Sequence, residues 1–253
     1  MKYLAAVAAF LELVSAHGYF ETPIARQPGP AYETACGSQA YNTMKGDING
    51  NIQGLLQLVA NQQDYDAEAC GLWLCKGMKF DDNTDNVQTY TAGQEVDLNF
   101  AIRAPHSGYA NVSIVDTATN SIIASDLKKW DEYALTSRPS VANESQFSIT
   151  IPDNLGSQCS TAGDCVIQMY WNSPPPVDQT YESCIDFTVG GSGSGTSPAP
   201  APISTTAPAP VPTTTPGSGS GGNTTAPITP PVANGTTGAG NSTKGGSYQY
   251  FCA

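Results

Sequence analysis

Histidine is scarce in this chain of 253 residues and occurs only as His17 and His106. That scarcity excludes zinc sites built from several histidines. The cysteines do not supply such a site either. Cys70 and Cys75 are too far apart for a Cys-x-x-Cys pair, and no second close pair with histidines follows. Basic side chains are also few: 10 Lys and Arg stand against 22 Asp and Glu, for a formal charge of −12. Residues 17–189 hold 8 of the former and 21 of the latter, a net of −13. Such a surface repels phosphate backbones and acidic sugars, which excludes nucleic acid as a partner and leaves neutral polymers compatible. Beyond Leu13 no apolar run is long enough to cross a bilayer, so no membrane span is expected.

What is present points to export. Lys2 is followed by a mostly apolar stretch from Tyr3 to Leu13, and Val14-Ser15-Ala16 supplies the small-residue pattern that signal peptidase cuts after. Residues 1–16 are therefore predicted to be a signal peptide, with His17 as the first residue of the mature chain. Six of the seven cysteines fall before residue 190: Cys36, Cys70, Cys75, Cys159, Cys165 and Cys184. They allow three bridges in an oxidising compartment. Cys36–Cys184 is expected to join a long loop to the last strand, and Cys70–Cys75 and Cys159–Cys165 to close locally. N-glycosylation sequons begin at Asn111 and Asn143, and again at Asn223, Asn234 and Asn241. From 190 to 253 the chain is almost only Gly, Ser, Thr, Pro, Ala and Asn, a composition that cannot bury a core and reads as a disordered tail. It lacks the apolar end of a lipid-anchor signal, so a secreted, extracellular, unanchored monomer is expected.

Residues 17–189 are long enough for one domain. Val96, Leu98, Phe100 and Ile102 alternate with polar or small residues in "VDLNFAIRA", and "QFSITIP" and "YESCIDFTV" repeat the pattern. "YANVSIVD" and "CVIQMYW" are further β-rich runs, and Gly, Pro, Asn and Asp separate them. The expected fold is all-β, an antiparallel β-sandwich of immunoglobulin or fibronectin type with long disulfide-pinned loops. The stretch from Ala31 to Asn86 reads as a large loop excursion with one short helix near Asn51 to Ala60.

A cut after Ala16 gives His17 a free α-amine. That amine and its own Nδ1 can close one chelate ring on a metal, and a second imidazole would complete a flat set of three nitrogens. Tetragonal nitrogen coordination suits copper(II), which also tops the divalent affinity order. His106 is the candidate second imidazole, because Pro105 breaks a strand and puts His106 in a turn. Gln179 and Tyr181 lie two apart on a strand and share one face, where a phenol and an amide could sit beside the metal. Cys184 has the opposite parity. Tyr19 and Trp73 are candidate contacts for a flat polymer face, although Trp73 also fits simple packing beneath a disulfide.

Taken together, "HGYFETP", "CGLWLCKGMKF", "RAPHSGYANVSIVD", "DCVIQMYW" and "QTYESCIDFTV" resemble the fungal lytic polysaccharide monooxygenases, most closely auxiliary activity family sixteen. The resemblance spans His17 to Val189. It implies one copper ion held by His17 and His106, with Tyr181 axial and Gln179 steering a bound oxidant. It further implies a copper-dependent oxidoreductase that uses an external electron donor and oxygen or hydrogen peroxide. The expected partner is cellulose or a related neutral polysaccharide, cleaved mainly at the anomeric carbon. Two other classes stay open: a non-catalytic copper-binding or copper-uptake protein sharing the same histidines, and a cell-wall structural protein.

Overall fold

The structure is a computed structural model that describes residues 17–190. The expected signal segment 1–16 lies outside the described residues, as does the tail from 191 onward with Cys252, Asn223, Asn234 and Asn241. Eight strands form two sheets. They are β1 (His17–Thr22), β2 (Gln88–Tyr90), β3 (Glu95–Ala104), β4 (Gly108–Asp116), β5 (Ser121–Tyr133), β6 (Gln146–Thr150), β7 (Cys165–Ser173) and β8 (Gln179–Val189). One sheet has the order β1-β3-β6 and the other β2-β8-β7-β4-β5. All pairs are antiparallel except β2 with β8.

Period-two alternation builds the sandwich core. Phe20, Val96, Leu98, Phe100, Phe147 and Ile149 come from the first sheet. Val112, Ile114, Ile167, Met169, Trp171, Tyr181, Ile185 and Phe187 meet them from the second. The expected β-sandwich is therefore the observed one. β5 had no clear alternation because it is an edge strand whose residues are mostly exposed or half-buried. Its Lys128, Lys129, Asp131 and Glu132 guard that edge against further pairing.

The excursion before β2 is more than a loop with one helix. It holds α1 (Pro30–Cys36), α2 (Ser38–Gly46), α3 (Ile52–Val59) and α4 (Ala67–Cys70) around a small core of Tyr32, Met44, Ile52, Leu55, Val59 and Leu72. Each helix is short and depends on capping for its ends. Asn51 Oδ1 accepts the Gly54 amide (2.7 Å) at the start of α3, and Asp66 Oδ1 accepts two amides at the start of α4. Asp82, remote in sequence, takes the Ala31 and Tyr32 amides of α1 at 2.8 Å. A fifth helix, α5 (Ala142–Ser145), precedes β6.

Two of the three expected disulfide pairings are corrected. The bridges are Cys36–Cys70, Cys75–Cys184 and Cys159–Cys165. Cys70 ends α4, and Gly71 follows in the left-handed conformation (φ +57°), a turn glycine makes without strain. The reversal leaves Cys70 in the helical core beside Cys36, while Cys75 faces Val115, Val166 and Cys184 on the back of the large sheet. Neighbours in sequence thus serve different layers.

The same back face docks the helical region. Four alternate β8 residues, from Thr180 to Asp186, point away from the sandwich core, and each finds a partner before residue 79. Thr180 bonds Gln53, Glu182 meets Lys76, Cys184 bridges Cys75, and Asp186 pairs with Arg26. Arg26 is 5% exposed and makes a two-point contact with Asp186, at 2.7 Å for both bonds, while also donating to Met78 O at 3.0 Å.

Candidate active site

The ends of β1, β3, β4, β7 and β8 converge on one edge of the sandwich. In the backbone register His17 pairs with Ala104, the last residue of β3, and His106 follows two residues later in the turn to β4. The two histidines that are 89 apart in sequence are thus brought to one sheet end by strand pairing alone.

The His106 turn is fixed from its carbonyl. His106 O accepts Trp171 Nε1–H at 3.2 Å and Ser173 Oγ–H at 3.1 Å, both from β7. Gly108 lets the turn press against that strand: a Cβ there would lie 2.0 Å from Asn172 O. Ser107 Oγ accepts the Thr136 amide at 2.9 Å, which ties the turn to the segment after β5.

The imidazole is fixed from the other side. His106 Nδ1 lies 3.0 Å from Gln179 Oε1, and the Tyr181 hydroxyl donates to the same oxygen. An amide carbonyl only accepts, so Nδ1 carries the proton and Nε2 keeps a free lone pair. Tyr181 is fully buried against Trp171, with ring centroids 4.5 Å apart. Burial pushes its phenol well above the ordinary tyrosine range, so it stays neutral and able to donate. Gln179 is held in turn, because Gln53 of α3 clamps the next residue: Thr180 N–H donates to Gln53 Oε1 at 2.8 Å, and Gln53 Nε2 donates to Thr180 Oγ1 at 3.0 Å.

Strand pairing, the turn and β8 therefore bring together four sequence-predicted positions, His17 by its backbone and His106, Gln179 and Tyr181 by their side chains. Trp73 is not among them. Its carbonyl accepts from Asn120 at the β4–β5 hairpin, the opposite end of β4 from His106. It therefore lies away from the histidines. Tyr19 lines a groove of about 460 Å³ with Met44, Asp47, Asn49 and Arg103, flanking β1. Asn143 is exposed on α5, whereas Asn111 sits half-buried in β4 and accepts a hydrogen bond from Ser113 Oγ. Gln53, Trp171 and Ser173 escaped sequence reasoning, since nothing local marks a residue that supports a turn from another strand.

The donor set fits a metal held by nitrogen. Among the described residues no cluster of three or more His, Cys, Asp and Glu could hold an ion. What the geometry offers is His106 two residues beyond the Ala104 that pairs with His17, with its Nδ1 engaged by Gln179. A cut before His17 would free an α-amine at that backbone position, and an amine with two histidine imidazoles is a nitrogen set of the kind copper(II) prefers.

Two histidine positions thus meet at one end of a β-sandwich beside a buried tyrosine and a half-buried glutamine. The chain belongs to the family described as lytic polysaccharide mono-oxygenase, cellulose-degrading, whose profile matches residues 17–187. It is accordingly an oxidoreductase. Similar solved structures include an AA10 lytic polysaccharide monooxygenase from Streptomyces lividans (16% identity, covering 68% of this chain and 99% of that one, TM-score 0.38). An AA15 enzyme from Thermobia domestica in the Cu(I) state is also similar (15% identity, 68% and 98% covered, TM-score 0.35). So is a CBM33 protein from Bacillus amyloliquefaciens in complex with Cu(I) after photoreduction (14% identity, 69% and 100% covered, TM-score 0.35). A search of curated proteins finds no match. Family membership rests on the sequence profile.

Proposed function

We propose that the chain is exported, cut after Ala16, and binds one copper ion through the amine and imidazole of His17 and Nε2 of His106. In that state it cleaves glycosidic bonds of cellulose or a related neutral polysaccharide by oxidation, mainly at the anomeric carbon. The observation that carries this reading is the backbone pairing of His17 with Ala104, two residues before a histidine whose Nδ1 is already engaged by Gln179. Family membership supports it. The acidic surface suits an uncharged polymer. No helix among the described residues is long and apolar enough to cross a membrane.

Bound copper would supply one-electron chemistry with an external reductant and oxygen or hydrogen peroxide. The protein's own part is positional. Gln179 fixes the tautomer and ring plane of His106. Tyr181, kept protonated by burial, donates to Gln179 Oε1 and would stand beside the metal as a neutral phenol. Trp171 and Ser173 hold the turn from behind.

The test is product mass spectrometry on cellulose incubated with the mature, copper-loaded chain and ascorbate. Oxidised cello-oligosaccharides, mostly aldonic acids, are expected. Tight copper binding with neutral sugars or no products at all would replace the enzyme reading with that of a copper carrier.

A further inference from the structure

The turn between β7 and β8 reads "PPPV" from Pro174 to Val177, and the roles described above do not use it. Its two flanks do serve the site. Ser173 precedes it and donates to His106 O, and Gln179 closes it and contacts His106 Nδ1. Residues 174–178 are all exposed, and Val177 is one of the few large apolar side chains left at the surface, at 37%.

The turn is self-closed. Pro174 O accepts the amides of both Val177 (3.2 Å) and Asp178 (3.4 Å). Three consecutive prolines fix their own φ and carry no N–H that water would have to solvate. Contact with an apolar surface therefore costs this turn little entropy and little desolvation. In a domain with net charge −13, a rigid and almost uncharged rim beside the histidines fits one kind of partner, an uncharged polymer that offers flat C–H faces.

We infer that Pro174–Val177 is the docking turn on which the polysaccharide chain rests while its glycosidic bond faces His106. This assignment rests on the proposed polysaccharide substrate and adds the residues that receive it. Val177 and the proline rings pack against the C–H face of sugar rings, and the fixed ends at Ser173 and Gln179 hold that contact at a constant distance from the His106 imidazole.

Depletion of the mature chain by microcrystalline cellulose, without reductant, reads binding alone. Val177→Asp and Pro176→Ser are compared with Ile122→Asp, which places the same charge at a 58%-exposed apolar site on β5. Both turn variants should bind roughly five- to tenfold more weakly, the loss expected for removing one partly buried apolar contact. Ile122→Asp should match the parent. Urea midpoints identify any variant that fails to fold, and Pro176→Ser decides if Val177→Asp is lost. Cellulose binding that persists in both folded turn variants overturns the docking turn and leaves the proposed activity standing. A parent chain retained neither by cellulose nor by related neutral polysaccharides overturns the substrate reading, and the docking turn with it.

Discussion

Gln179 Oε1 lies 3.0 Å from His106 Nδ1 and also receives the Tyr181 hydroxyl, so a single carbonyl orients an imidazole and a phenol. Gln179→Leu removes that acceptor and leaves the imidazole and the phenol hydroxyl without their shared partner. Turnover on cellulose is expected to fall on the order of 10- to 100-fold, as for other residues that orient metal ligands. Copper should still bind, because Gln179 supplies none of the three nitrogens. Calorimetry and product yield on the same preparation separate the two effects. Undiminished turnover in the leucine variant would remove Gln179 from the site's working parts.

The second prediction concerns the cut before His17. One extra residue there turns the α-amine into an amide, which is a poor ligand at neutral pH. Copper affinity should drop by well over the factor of about 10 that 1.4 kcal/mol represents, since one of three nitrogens is lost. Titration calorimetry compares the correctly cut chain with one carrying a single added alanine. Equal affinities would mean that the amine takes no part.

The site was legible in fragments. Its histidines stood out because there are only two, and the shared parity of Gln179 and Tyr181 follows from strand geometry. The register that brings His17 to Ala104 was not legible, because it is a long-range pairing that no local pattern encodes. β3, β4, β6, β7 and β8 showed themselves through their alternating or β-rich runs. β5 did not, since an edge strand with little to bury has little to alternate. α1 and α2 escaped because "PAYETAC" and "SQAYNTMKG" are too short for a helical period, and the cap of α1 comes from Asp82. Cysteine spacing misled for a related reason. Short separation favours a local bridge only if both cysteines face the same layer, and Cys70 and Cys75 face different ones.

Arg26 and Asp186 supply the third prediction. Both are buried, and Arg26 also takes the Cys184 carbonyl through its amide at 2.8 Å, locking the segment after β1 to β8. Arg26→Ala strands the Asp186 carboxylate in the interior. A loss of about 3–5 kcal/mol is expected, the range for breaking one side of a buried pair. Urea denaturation measures it, with the Cys75–Cys184 bridge intact as verified by non-reduced peptide mapping. A loss below about 1 kcal/mol, the level of an exposed pair, would mean that water reaches Asp186.

The last prediction follows from Glu182 and Lys76, which face each other between β8 and the helical region. Glu182 is 2% exposed and Lys76 is 1% exposed. Burial pushes the Glu182 carboxyl up to about 8 from an ordinary 4.5, against the opposing pull of the Lys76 and Cys75 amides and the Lys76 charge. Burial likewise pushes Lys76 down to about 8 from 10.5. Between pH 4.5 and 8 the folded chain keeps a proton on Glu182 that the unfolded chain has released, so stability falls as pH rises through that window. Above 8 the unfolded chain keeps a proton on Lys76 that the folded chain has lost, so this contribution recovers toward 10.5. Thermal unfolding of the metal-free chain should therefore show a lower Tm near pH 8 than near pH 5. Glu182→Gln, which cannot titrate, should flatten the acid limb, and Lys76→Met should remove the recovery on the alkaline side. An acid limb of unchanged slope in Glu182→Gln would assign the pH dependence to the general acidity of the surface instead of this buried pair.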